Sequence, residues 1–213
     1  MKRVYISECA HPEVMAYLQG NSWEIIRVKK QGLVYEAIAS HPDIFYGQVN
    51  GKIIPQRGDL GEAYPDTARY NGVQIGHYFL HNFSLTSPVL TREIEKARLV
   101  KVHVSQGYTR CNVVPVDSIS FITEDRGIAK AATAAGMSVL VVDPGHVRLD
   151  GFPRGFLGGA SGCFPEEVLF HGCLMGHPQE KEIRDFIEHR GKKVKVFPSF
   201  PLEDVGGILV EDL

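Results

Sequence analysis

The chain contains 213 residues, of which 44% are hydrophobic and 23% are charged, a composition typical of a globular protein with a sizeable core. Its formal net charge of −2 provides no broad electrostatic attraction toward nucleic acid or an anionic membrane. We therefore expect one domain over residues 1–213 that binds neither of these partners.

The cysteines do not form a metal-binding pattern. Cys9, Cys111, Cys163 and Cys173 lack the Cys-x-x-Cys pairs and the Cys/His spacing of zinc sites, so we predict no metal and no cofactor. The first residues include two basic side chains but no long apolar region, and no apolar run approaches the length needed to span a bilayer. The default expectation is a cytoplasmic protein with free thiols.

The first part of the chain predicts short strands joined by tight turns. A helix is expected over 12–18, because Pro12 suits its first turn and Gly20 follows its end. Asn50-Gly51 between apolar stretches predicts a hairpin. Strands are predicted at 4–7, 23–28, 34–39 and 44–46.

The middle of the chain predicts a long connection followed by regular structure. The periodicity fades over 55–82, apart from a strand predicted at its end, and a loop of this length is usually functional or contains small elements of its own. A helix over 88–98, capped by Ser87, is predicted to lead into a strand at 99–104.

The second half contains the same strand-strand-helix-strand unit twice. The first copy is predicted as strands at 109–114 and 118–123, a helix from Asp125 to Ala135 and a strand at 138–143. The second is predicted as strands at 157–164 and 168–171, a helix at 178–190 and a strand at 193–197. The glycines at 158–162 make either a tight bend between packed strands or a close approach to a ligand.

Similar boundaries at 40–45, 114–119 and 164–169 strengthen the repeat, because each combines a proline, an acidic residue and a returning apolar run. Repeated units bury their faces against each other as solenoids or closed rings. Unpartnered strands near Val4 and Ile208 favour a ring in which the two ends complete one unit, which would also protect the sheet edges.

Four segments add to the repeat: Ser40-His41-Pro42-Asp43, Gly107-Tyr108-Thr109-Arg110-Cys111-Asn112, Gly158-Gly159-Ala160-Ser161-Gly162 and Phe200-Pro201-Leu202-Glu203-Asp204-Val205-Gly206. With them, nearly the whole chain resembles an uncharacterised bacterial family assigned to the guanidino-group modifying enzyme fold, the pentein α/β propeller. The resemblance implies an α/β fold of five quasi-repeated strand-strand-helix-strand units around a pseudo-five-fold axis, with a polar channel. Characterised relatives, such as the arginine, agmatine and dimethylarginine deiminases and the amidinotransferases, act on guanidines in that channel.

The resemblance also implies candidate catalytic residues. The run of glycines before Cys163 is similar to that before the nucleophile of agmatine deiminases, and the segment containing His146 is similar to their Gly-His-x-Asp segment. Gly162 stands where that motif has a histidine, and 164–166 replaces its Thr-Gln-Gln, so Cys163 is either a nucleophile or a packed thiol. Cys111 is the alternative nucleophile.

Polar residues at the ends of strands are predicted to bind a guanidine-type small molecule, because a cationic planar group requires carboxylates and other acceptors. These residues are His41, Asp43, Asn82, Asn112, Ser161 and Asp204. The alternative for His41 and Asp43 is an Asx turn, and the alternative for each of the other four is a structural role. Two functions remain open: an enzyme that acts on a guanidine through a cysteine, and a non-catalytic binding or scaffold protein that keeps the propeller without the nucleophile.

Overall fold

Short strands and helices alternate along the chain in the computed structural model, which describes residues 2–21 and 23–212. The helices are α1 (Pro12–Gly20), α2 (Pro42–Phe45), α3 (Pro88–Lys96), α4 (Thr109–Asn112), α5 (Arg126–Ala134) and α6 (Glu180–Glu188). The strands are β1 (Lys2–Ser7), β2 (Glu24–Val28), β3 (Tyr46–Val49), β4 (Lys52–Pro55), β5 (Val73–Ile75), β6 (Tyr78–His81), β7 (Val100–His103), β8 (Val113–Pro115), β9 (Ser120–Thr123), β10 (Ser138–Val141), β11 (Ser161–Cys163), β12 (Glu167–Phe170), β13 (Lys193–Lys195) and β14 (Leu209–Asp212). Short 3-10 helices lie at Glu36–Ile38 and Asp66–Ala68.

The strands form a mixed α/β fold of small sheets. In the described residues their orders are β14-β1-β2, β3-β4, β5-β6-β7, β8-β9-β10 and β11-β12-β13. Each sheet contains an antiparallel pair, and each three-stranded sheet adds a parallel strand that follows a helix. The unit predicted twice from the sequence therefore also occurs as β5-β6-α3-β7, and β14 with β1, α1 and β2 has the same arrangement.

The first and last strands lie in one sheet. Val4 pairs with Val210 and Tyr5 with Leu209 in antiparallel register. Both ends of the chain are therefore held by the same hydrogen-bond ladder.

The helices pack apolar side chains onto their sheets. Ile183 and Ile187 of α6 are fully buried in a cluster that includes Val168 and Phe170 of β12. The caps predicted from the sequence are confirmed, because the Ser87 side chain accepts a hydrogen bond from Val89 N. The Asp125 carboxylate accepts hydrogen bonds from the N–H groups of Gly127 and Ile128. Among the described residues, no helix combines the length and apolarity that crossing a bilayer requires.

Four predicted strands were wrong in whole or in part. Residues 109–112 form helix α4 before the strand begins, and residues 34–46 contain a 3-10 helix and helix α2. Of the strand predicted at 157–164, only residues 161–163 are paired. Helices α2 and α4 contain β-branched or apolar residues, which favour strands. Each spans only four residues, which is too few to show a helical period.

The predicted equivalence of 40–45 with the two later boundaries was also wrong. Residues 114–119 and 164–169 turn from the first strand of a sheet to its antiparallel partner, whereas 40–45 lies before the first strand. The structural counterpart of those turns is the Asn50-Gly51 hairpin, in which both residues have positive φ, as its sequence predicted.

The glycines at 158–162 meet neighbouring segments closely, as expected for a tight bend between packed segments: Gly158 meets backbone, and Gly159 and Gly162 meet the side chains of Asp204 and Ile208. A Cβ at Gly158 would overlap with the carbonyl oxygens of Arg110, Cys111 and Val113. The close approach brings the segment before β11 against the segment before β8.

Candidate functional site

Polar side chains converge where short segments lead into the first strand of each sheet. Helix α2 precedes β3, and helix α4 precedes β8 in the same way. Asn71 lies just before β5 and Asp204 lies before β14. We call the buried group that they form the central cluster, which consists of Asp43, Asn71, Arg110, Cys111 and Asp204.

Cys111 is held in the cluster as a hydrogen-bond donor. Its Sγ lies 2.9 Å from Asp43 Oδ2. Asn71 donates from Nδ2 to the same sulfur at 3.2 Å and accepts from Cys111 N at 3.1 Å. Burial and the nearby charges of Asp43 and Asp204 raise the pKa of Cys111 well above its ordinary value. The thiol is therefore protonated at neutral pH.

Asp43 is a buried carboxyl group with an unsatisfied oxygen. Burial, with repulsion from Asp204, raises the pKa of Asp43 to about 7. Its Oδ1 has no hydrogen-bond partner among the described residues, whereas Oδ2 accepts from Cys111. The protonation state of the cluster therefore changes near neutral pH.

Arg110 supplies the cation of the central cluster. One terminal nitrogen donates to the carbonyl oxygens of Val113 at 3.1 Å and Gly158 at 3.0 Å, and the other donates to that of Ser161 at 3.2 Å. Burial lowers the pKa of Arg110, while the negative charge of Asp43 opposes the change. The planar guanidinium thus connects the segments before β8 and β11 inside the protein.

His41 lies beside Asp204, at the edge of the central cluster. Asp204 accepts hydrogen bonds from Phe156 N at 2.9 Å and Gly206 N at 3.0 Å. His41 Nδ1 is 3.8 Å from Asp204 Oδ1, beyond hydrogen-bond range, and the ring makes no hydrogen bond to any described residue. Burial lowers the pKa of His41, so the imidazole is neutral at neutral pH. It can accept a hydrogen bond from a ligand.

We predict that Gly206→Ala destabilises the protein by about 1–3 kcal/mol more than Gly191→Ala. The two glycines have nearly the same φ, +75° and +76°, so the backbone strain is matched. A Cβ at Gly206 would overlap with the Cβ of His41, whereas a Cβ at Gly191 would meet nothing within 4 Å. Urea unfolding of both variants measures the difference, and equal losses would contradict the packing of His41 on Gly206.

A cavity of about 520 Å³ opens beside Asp204 and His41. We call it the acidic cavity, because more carboxylates than cations line it: Glu36, Asp150, Glu203 and Asp204 against Lys30 and Arg148. Lys30 forms an ion pair with Glu36. Arg148, Asp150 and Glu203 form no ion pair with any described residue. The cavity therefore presents uncompensated charge, mostly negative, to a small molecule.

A second cavity of about 280 Å³ is lined by residues of β3, β5, β8, β11 and β14. Arg110 and Cys163 lie on its wall. The Cys163 sulfur is 3.6 Å from the carbonyl oxygen of Val116. Burial raises the pKa of Cys163, and the charge of Lys192 opposes this effect. Cys163 is thus a weakly hydrogen-bonded, protonated thiol beside a strand.

Cys163 and His146 contact different partners. His146 is exposed, and its ring centroid lies 4.7 Å from that of His177. The catalytic pairing of Cys163 with His146 remains a prediction without support from these contacts.

The six predicted ligand-binding residues have different positions. His41 and Asp204 line the acidic cavity. Asp43 lies in the central cluster. Asn112 and Ser161 are buried and donate to the carbonyl oxygens of Tyr108 and Gly158, each at 2.9 Å. Asn82 lies elsewhere, where its side chain holds a turn by binding Ser105 O and Ser84 N.

Eight residues of this region were not predicted as site residues: Cys9, Lys30, Glu36, Asn71, Arg110, Arg148, Asp150 and Glu203. Asn71 and Arg110 share one signal, since each lies just before the first strand of a sheet. An alignment of the repeated units that matched their first strands would have identified both residues. In the part of the chain that the structure describes, no three His, Cys, Asp or Glu side chains are grouped as metal ligands.

The sequence matches the model of a family of unknown function (DUF6873) over residues 47–209. The chain belongs to this family. The family's description assigns no activity, and a comparison with curated proteins finds no match.

Solved structures show the same fold at low sequence identity. One is a dimethylarginine dimethylaminohydrolase adduct with 4-chloro-2-hydroxymethylpyridine, with a TM-score of 0.57, 10% identity and 92% of each chain covered. Another is the Pseudomonas aeruginosa enzyme, a cysteine-to-serine mutant complexed with citrulline, with a TM-score of 0.58 and 9% identity. That match covers 99% of this chain and 98% of the other. The likeness establishes a fold shared with a guanidino-modifying enzyme, as the sequence resemblance predicted.

Proposed function

We propose that the protein binds a small molecule with a cationic guanidine or amidine group in the acidic cavity. The observation that carries this proposal is the Asp204 carboxylate beside a neutral His41 imidazole that makes no hydrogen bond to the described residues, both on the cavity wall. A guanidinium has only N–H donors and needs acceptors arranged around it. Asp204, Glu203 and the His41 imidazole are acceptors of this kind.

The remaining charges favour a ligand with a carboxylate at its other end. Arg148 lines the same cavity and makes no hydrogen bond from its guanidinium to any described residue. An arginine side chain binds carboxylates with paired hydrogen bonds. An amino acid with a guanidine side chain therefore matches both parts of the cavity.

The two candidate nucleophiles support binding rather than thiol chemistry. Cys111 is buried and donates its proton to Asp43, and the pKa of its thiol is raised well above the ordinary value. The pKa of Cys163 is also raised, although thiol nucleophiles require a lowered pKa. We therefore favour the non-catalytic alternative, in which these cysteines have structural roles.

We further infer that the sheets close into a five-unit propeller around an axis. The support is the second cavity, whose wall contains residues of β3, β5, β8, β11 and β14, one strand from each sheet. In a ring, the segments before these strands meet on the axis. The central cluster and the acidic cavity would then lie at one end of the channel.

Isothermal titration calorimetry with arginine, agmatine and citrulline tests the binding. We expect arginine to bind most tightly, agmatine to bind more weakly because it lacks the carboxylate, and neutral citrulline to bind at least about tenfold more weakly than arginine. Equal affinity for arginine and citrulline would contradict recognition of the cation.

Variants at the cavity complete this test. Glu203→Gln should weaken arginine binding by about tenfold, because a charged acceptor becomes neutral at constant shape. Glu188→Gln, which makes the same change at an exposed position on α6, should have no effect. If both variants bind arginine like the unmodified protein, the acidic cavity is not the binding site.

A further inference from the structure

Cys9 is the exposed cysteine of this chain, and it lies on the wall of the acidic cavity. Cys111 is buried, and Cys163 and Cys173 are half-buried. The loop after β1 holds Cys9 in place, because Cys9 N donates to Ser7 Oγ at 3.1 Å. The Ser7 and Ser40 hydroxyl groups are 2.7 Å apart, and Ser40 Oγ lies 3.8 Å from Cys9 Sγ.

The cavity wall around Cys9 suits a charged partner molecule. Lys30 lines the same cavity, and its charge is paired with that of Glu36. On the same cavity wall, His41 is only 5% exposed and makes no hydrogen bond to the described chain. A largely buried ring on a cavity wall, without a hydrogen-bond partner in the described chain, can bond to a molecule in the cavity. Because more carboxylates than cations line the cavity, it favours a cationic ligand.

We propose that Cys9 is a covalent modification site for small cationic disulfides, amines of the cystamine class, and that the adduct blocks the acidic cavity. The Cys9 thiolate attacks one sulfur of the disulfide and forms a new S–S bond. The original S–S bond breaks, and its electron pair leaves with the released aminothiolate, which takes a proton from water. The retained amine lies toward Asp150 and Glu203. Added thiol reverses the reaction.

The reaction is tested with two methanethiosulfonates of the same leaving group, the cationic 2-aminoethyl and the anionic 2-sulfonatoethyl reagent. Intact-mass and peptide mass spectrometry give the site and rate of each modification. We expect Cys9 to react first. We also expect the cation-to-anion rate ratio at Cys9 to exceed that of the urea-unfolded protein by about tenfold at low salt, and to fall at high salt.

Variants separate the charge effect from simple exposure. Cys9→Ser should remove the fast adduct, and Cys173→Ser should leave it unchanged. The double variant Asp150→Asn, Glu203→Gln should reduce the excess rate ratio to about threefold or less. First reaction at another cysteine, or a rate ratio equal to that of the unfolded protein, overturns the proposal.

The blocking effect rests on the proposed function and has its own measurement. Protein with one 2-aminoethylthio group, joined to Cys9 by a disulfide bond, should lose arginine binding in calorimetry and regain it after treatment with dithiothreitol. Full binding by the adduct would overturn the blocking effect. The mass-spectrometric result needs no ligand, so failure of the modification site is distinguishable from failure of guanidine binding.

Discussion

Arg110→Leu is expected to lower the free energy of unfolding by about 3–5 kcal/mol, because removal of one partner leaves buried charge and polar groups uncompensated. The guanidinium satisfies the carbonyl oxygens of Val113, Gly158 and Ser161, which belong to two different sheets and the turn between them. Leucine fills part of the volume but supplies no donor. Asp43 also loses its neighbouring cation. Urea unfolding, followed by circular dichroism, measures the loss.

Two further arginine variants make this result specific. Arg110→Lys keeps the positive charge but cannot form the planar fork, so we expect a loss of about 2 kcal/mol. Arg184→Leu removes a partly exposed arginine whose partner is Glu180, and such surface pairs contribute less than about 1 kcal/mol. If Arg110→Leu were no more destabilising than Arg184→Leu, Arg110 would not hold these segments together.

The parts of the fold that local sequence determines were predicted. Helices α3 and α5 begin at the predicted caps, and the Asn50-Gly51 turn forms the predicted hairpin. In these cases the signal lies within a few residues, such as a side chain that caps the next turn or a residue that tolerates positive φ. The helical turns α2 and α4 were missed, because each spans only four residues and its conformation is set by packing against distant segments.

The candidate site was only partly predictable for a related reason. Asp43 and Cys111 are 68 positions apart, and no local pattern indicates that their side chains touch. The sequence did identify Asp43, Cys111, His41 and Asp204 as candidates, through the resemblance and their positions at element ends. It did not indicate that the internal cation Arg110 would lie near enough to Asp43 for their charges to interact, because that depends on how the repeats align.

Asp43→Asn is expected to remove a pH dependence of stability between about pH 4 and pH 7. The pKa of Asp43 rises from an ordinary 3.8 to about 7 on folding. Between these values the folded protein retains a proton that the unfolded chain has released, so the free energy of unfolding falls as the pH rises. The fall attributable to Asp43 is on the order of 2–4 kcal/mol and is complete above about pH 7.

The decisive quantity is the difference in the free energy of unfolding between the unmodified protein and Asp43→Asn at each pH. His81 and His171 have the opposite effect on stability, because burial lowers the pKa of each from 6.5 to about 4. Between these values the unfolded chain binds more protons, so their contribution to the free energy of unfolding rises with pH. Their effect is common to both proteins and cancels in the difference. Asp150→Asn, the same change at an exposed site, should keep the original pH profile. Parallel profiles of the unmodified protein and Asp43→Asn would mean that Asp43 is ionised in the folded protein throughout this range, with Arg110 outweighing both its burial and the repulsion from Asp204.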